Sequence, residues 1–182
     1  MLPDAALLGG FFPARLGGLT LPNDHGMAVP AWLTPLSATL IHGGIGHLLL
    51  NLLILVYCGL LAERAIGSRA FTLLYVVGAY AAAAGQWAIG GGGPMIGASG
   101  AISAVVAVYA LLYGRGRARK MGPLSANLVH ALWLAAAWIA IQLLVGVTGM
   151  EGATVAIGAH IGGFVAGLAL ARPLLAWRYR RA

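Results

Sequence analysis

Charge is scarce in this chain. Of 182 residues only 8% are Asp, Glu, Lys or Arg, while 60% are hydrophobic. A water-soluble domain carries roughly 25% charged residues, so the composition excludes one. Carboxylates are scarcer still: Asp4, Asp24, Glu63 and Glu151 are the four acidic residues. Cysteine is reduced to Cys58, which excludes an internal disulfide and a cysteine-held zinc cluster. His42 and His47 stand five apart with no acidic partner nearby, not at the His-x-x-x-His spacing that suits zinc, so no metal is expected. The start, Met1-Leu2-Pro3-Asp4, lacks the early Lys or Arg of a signal peptide.

What is abundant is apolar sequence, with a mean hydropathy of +0.90. Residues 1–39 hold no long apolar run; proline recurs at 3, 13, 22, 30 and 35, and Asn23-Asp24-His25-Gly26 is turn chemistry. This part reads as an extracytoplasmic loop region, with Phe11-Phe12 and Ala31-Trp32-Leu33 suited to a membrane interface. Residues 40–182 read as a transmembrane domain of five spans. The first runs from about Leu40–His47 to Ala62, the second from Ala70 to Ile89, and the third from Ser99 to Tyr113. The fourth runs from Leu124 to Val147 and the fifth from Thr154 to Ala171. Ser99–Tyr113 is only ~22 Å of helix, short of the ~30 Å hydrocarbon layer. It is expected to start below the surface, met by a loop over residues 90–98 that dips inward.

The net charge of +7 does not point to nucleic acid, because the charges cluster at span ends. Ten of the eleven Lys and Arg follow the first, third and fifth spans; only Arg15 lies on the other side. The excess of basic residues places those loops and the C-terminus in the cytoplasm. Five spans with that orientation leave a proline-rich leader outside, so one more N-terminal span is expected to be missing from this chain.

Polar side chains within apolar spans are costly and are functional candidates by default. Ser99 opens the third span within Gly97-Ala98-Ser99-Gly100, after Gly90-Gly91-Gly92-Gly93-Pro94. Amides at a helix start favour developing negative charge. Read alone, Ser99 is weak evidence, since a serine in a membrane helix most often bonds back to its own helix. His160, Gly163 and Gly167 share one face of the fifth span, and Gly100, Ala104 and Ala107 form a small-residue stripe on the third. His160 alone is more readily a structural histidine bonded to a carbonyl. Ser99 and His160 nevertheless lie about one turn into their helices from the same side, and a serine needs an adjacent base to become a nucleophile. No carboxylate is placed to orient His160, so the expectation is a Ser–His dyad. His47 and Asn51, at i and i+4, share a face; they are either a helix-pairing polar zipper or hydrogen-bond donors to an oxyanion. His130 and Cys58, on the inner halves of their spans, are expected to be structural.

The chain resembles the rhomboid intramembrane serine proteases. Three ordered motifs carry the likeness: His42-Gly43-Gly44-Ile45-Gly46-His47-Leu48-Leu49-Leu50-Asn51, Gly97-Ala98-Ser99-Gly100, and Ala159-His160-Ile161-Gly162-Gly163-Phe164-Val165-Ala166-Gly167. Glu63-Arg64-Ala65-Ile66-Gly67 looks like the family's turn after its second helix. The resemblance implies an all-α polytopic rhomboid-like bundle in which Ser99 is the nucleophile and His160 the base. His47, Asn51 and the Ser99 amide would form the oxyanion hole, with His42 supporting it. Gly97 and Gly100 belong to the nucleophile motif; Gly163, with Gly167, would bring the last helix against the Ser99 helix.

It also implies an integral protein of a bacterial inner (plasma) membrane, opening to the extracytoplasmic side. Transmembrane proteins would be its substrates, and it would need no cofactor. Two departures stand out. The family's first helix is absent, with Gly10-Phe11-Phe12-Pro13-Ala14-Arg15 resembling the loop after it. Ser103 also occupies a position, four after the nucleophile, where many members stack an aromatic on the base. The alternative is a catalytically impaired rhomboid-like protein that binds transmembrane clients.

Overall fold

A computed structural model describes residues 4–19, 21, 26–89, 93–113, 119–147 and 156–180. Glycines 90–92, Arg115 and Arg117, residues 148–155 with Glu151, and residues 22–25 lie outside the described residues. Two short helices, α1 (Asp4–Gly9) and α2 (Thr34–Ser37), precede five long ones. These are α3 (Ile45–Ile66), α4 (Ser68–Ile89), α5 (Ser99–Tyr113), α6 (Ala126–Val147) and α7 (Ile157–Tyr179). By length and composition α3, α4 and α7 are long and apolar enough to cross a membrane; α5 and the Ala126–Ile141 part of α6 are shorter apolar helices. The protein is an all-helical polytopic membrane bundle.

α5 is the hub. Eleven of its fifteen residues are buried, among them Ile102, Val105 and Val108. Its neighbours are instead exposed along one face, as with Leu49, Leu53 and Tyr57 on α3, and Trp133 on α6. A helix apolar all round and buried all round is central, and helices apolar toward the outside face lipid. Small residues let the backbones meet. A side chain at Gly167 would strike the Ala104 backbone of α5, and one at Gly162 the Ala81 carbonyl of α4. In lipid such close packing, not water expulsion, drives helix association. α7 therefore wedges between α4 and α5, while α6 rests mainly on α5. At the far end Arg178 donates to the Glu63 and Arg64 carbonyls, tying the C-terminal ends of α7 and α3.

Two local expectations change. α7 continues past Ala171, through Pro173, to Tyr179. Phe11 and Phe12, expected at the membrane interface, are instead buried, at 2% and 8% exposure. Phe11 packs among Ala82, Ala83, Met95 and Ala159 and pairs with Met95 through two backbone hydrogen bonds of 3.0 and 2.6 Å. Arg15 braces this segment by donating to the Leu8 and Val29 carbonyls, and Ser37 Oγ donates to the Gly9 carbonyl at 2.6 Å. The strap it forms lies against the chain that leads into α5.

Candidate active site

Helices α3, α5 and α7 alternate with α4 and α6, so they run parallel and begin at the same end of the bundle. Ser99 is the first residue of α5 and His160 the fourth of α7. Gly163, one turn on, is the contact point: a side chain there would overlap the Gly100 carbonyl. At that separation Ser99 Oγ and His160 Nε2 lie 2.8 Å apart, a hydrogen bond between two helices. Both residues are buried, at 7% and 3% exposure. Ser99 thus keeps a small open surface at the edge of the packed core.

The approach to Ser99 is set by Gly97. Its φ is +101°, a conformation that favours glycine, and its N–H donates to the Ala38 carbonyl at 2.9 Å. An added Cβ would come within 2.5 Å of His47 Cε1 and 2.7 Å of His47 Nε2. The ring of His47 therefore rests on the backbone two residues before Ser99. His42 meets His47 edge to face, with centroids 5.0 Å apart. Burial holds the His42 imidazole below its ordinary range, while a bond with the Leu40 backbone pulls the other way.

Asn51, one turn below His47, is 2% exposed, and neither its Nδ2 nor its Oδ1 has a hydrogen-bonding partner among the described residues. A buried amide left open costs about 1–3 kcal/mol, so its presence asks for a reason beyond packing.

Ser103 stands where the resemblance puts an aromatic against the base. An aromatic ring does lie against His160, but it comes from α6. Trp138 sits edge to face with the imidazole, centroids 6.3 Å apart at 71°. Its indole N–H donates to Ser103 Oγ at 2.7 Å, and Ser103 Oγ donates to the Ser99 carbonyl at 2.8 Å. Sequence reasoning did not single out Trp138; it stands 35 residues from Ser103, and its one signal is an indole N–H in a stretch with few partners for it. Cys58 lies in the core among Ala62, Leu74 and Val108, and His130 is half-buried near the start of α6. No group of three or more metal-ligating side chains occurs among the described residues.

Residues 30–177 match the model of the Rhomboid domain. The chain belongs to the rhomboid family. No curated protein matches it. The match takes in α2 through α6 and α7 up to Trp177, and so includes every residue of the Ser99–His160 arrangement.

Proposed function

We propose that this rhomboid protein is an intramembrane serine endopeptidase that cuts transmembrane segments with a Ser99–His160 dyad. The observation that carries the reading is the 2.8 Å contact between the Ser99 hydroxyl and the His160 imidazole, made from two different apolar helices. A serine in a membrane helix bonds most easily to its own backbone. Here that bond is made by Ser103, and Ser99 Oγ faces a base instead.

His160 Nε2 takes the Ser99 proton as Ser99 Oγ attacks a peptide carbonyl of the substrate. The carbonyl oxygen becomes an oxyanion. The Ser99 amide, free of intrahelical bonding at the α5 start, is positioned to donate to it. The dipole of α5 favours the same charge. Asn51 Nδ2 and the His47 ring supply the other donors, which accounts for the open amide of Asn51. The amine leaves with the proton from His160, and the acyl-enzyme is hydrolysed when His160 deprotonates water. His42 holds the His47 ring through its edge contact.

The basic loops set the orientation. Arg64, Arg178 and Arg180 at the C-terminal ends of α3 and α7, with Arg69 at the start of α4, lie opposite Ser99. That end is cytoplasmic by the positive-inside rule, and Ser99 opens toward the other face. Substrates enter from the bilayer and unwind locally at the recessed serine. Helices with small residues near the cut suit this best.

A fluorophosphonate tests the reading. Wild type should be labelled on Ser99, and a reconstituted single-pass substrate should be cut into two membrane-derived fragments. Ser99→Ala and His160→Ala should each abolish both. A folded wild-type protein that takes no label but still co-purifies with the single-pass substrate would replace the protease with a client-binding rhomboid.

A further inference from the structure

We infer that Trp138 is a positioning residue for His160, held for that purpose by Ser103. The consequence for turnover rests on the proposed Ser99–His160 chemistry; the positioning itself rests on packing alone.

The second torsion of a histidine is broad and nearly two-fold, so each contact on the ring narrows the range of its plane. The Ser99 hydroxyl meets the ring at Nε2. A contact from across the ring narrows that range further. Trp138 provides it, meeting the imidazole edge to face at a separation inside the range that aromatic pairs prefer.

Trp138 must itself be fixed to act as a wall. It reaches from α6, a helix that touches α7 little elsewhere. Its N–H is spent on Ser103 Oγ at 2.7 Å, and that hydroxyl spends its proton on the Ser99 carbonyl at 2.8 Å. Ser103 is wholly buried and Trp138 is 4% exposed, so both bonds lie in a medium where leaving either donor unpaired is costly. The chain Trp138 to Ser103 to Ser99 returns to the residue whose hydroxyl meets His160. Nucleophile and base are therefore held by one closed circuit across α5, α6 and α7. A larger residue at 103 would have to displace Trp138; serine is the small side chain able to donate along its own helix and accept from the indole at once.

The experiment uses the full chain in detergent and reads two quantities. One is the rate of fluorophosphonate labelling per folded molecule. The other is the His160 imidazole NMR signal, assigned by its loss in His160→Ala. Trp138→Leu should slow labelling about 10- to 100-fold, the size expected when a reacting group is misplaced by about an ångström. It should lower kcat on a single-pass substrate with little change in KM, and move and broaden the His160 signal. Trp138→Phe, which keeps a ring and loses the N–H, should recover part of the rate. Ser103→Ala should match Trp138→Phe, and the double variant should be no slower than either, because all three delete the same bond.

Wild-type rates and an unmoved His160 signal in Trp138→Leu and Ser103→Ala would overturn the inference while leaving the protease in place. An unreactive wild type whose His160 signal still responds to both substitutions would uphold the positioning and remove the protease.

Discussion

A side chain on Gly163 would overlap the carbonyl oxygen of Gly100, so α7 and α5 touch backbone to backbone one turn beyond the Ser99–His160 contact. The reach of a serine hydroxyl is short, and this closeness is what allows it to meet an imidazole on another helix.

Gly163→Ala should therefore separate the helices. Overpacking costs typically 1–3 kcal/mol, and at backbone contact no flexible side chain is there to yield. We expect a lower unfolding temperature in detergent and loss of fluorophosphonate labelling. Full labelling in a variant as stable as wild type would show that the two helices can part without parting the pair.

Gly97→Ala acts on the opposite wall. Its φ of +101° strains any other residue, and the new methyl would press on the His47 ring. Backbone strain of this kind costs of order 1–3 kcal/mol. The expected result is a drop in turnover larger than the drop in stability, measured as kcat against the unfolding midpoint. A fall in stability with kcat intact would mean that His47 takes no part.

Asn51→Ala should divide activity from stability. Removing one oxyanion donor costs about 10²- to 10³-fold in turnover. The amide has no partner among the described residues, so its loss should leave the unfolding midpoint unchanged or raised. A large destabilisation with turnover retained would make Asn51 a helix-pairing residue instead.

His42 predicts a pH dependence of stability. Burial lowers its folded-state pKa below the ordinary 6.5. The unfolded chain then binds the proton at higher pH than the folded one, so the contribution is full above about 6.5 and is lost as pH falls through the region below it. Unfolding midpoints at pH 7.5 and 5.5 should differ more in wild type than in His42→Gln. An equal difference in both would assign the effect to another group.

Much of this was legible in the chain because membrane proteins obey a few rules strictly. Scarce charge, span-length apolar runs and the one-sided arginines specify a polytopic bundle before any contact is known. The site residues were legible for a related reason. Polar groups such as His47, Asn51, Ser99 and His160 are expensive in lipid, so each one stands out, and spacing on a helix shows which of them share a face. The strap was not legible, because Phe11 and Phe12 look the same whether they face lipid or a protein core. Its burial depends on the partners Ala82, Met95 and Ala159, which come from three separate segments.

By itself the sequence determined the number of long helices, the charge asymmetry and the two residues worth watching, since periodicity and the cost of burying polarity are local properties. Only the tertiary structure decided that Ser99 and His160 meet, that Asn51 is left with an open amide, and that Trp138 from α6 walls the imidazole. Those outcomes depend on how closely three helices approach. That distance is set by which small residues face one another across the seams, and no single stretch of chain contains both sides of a seam.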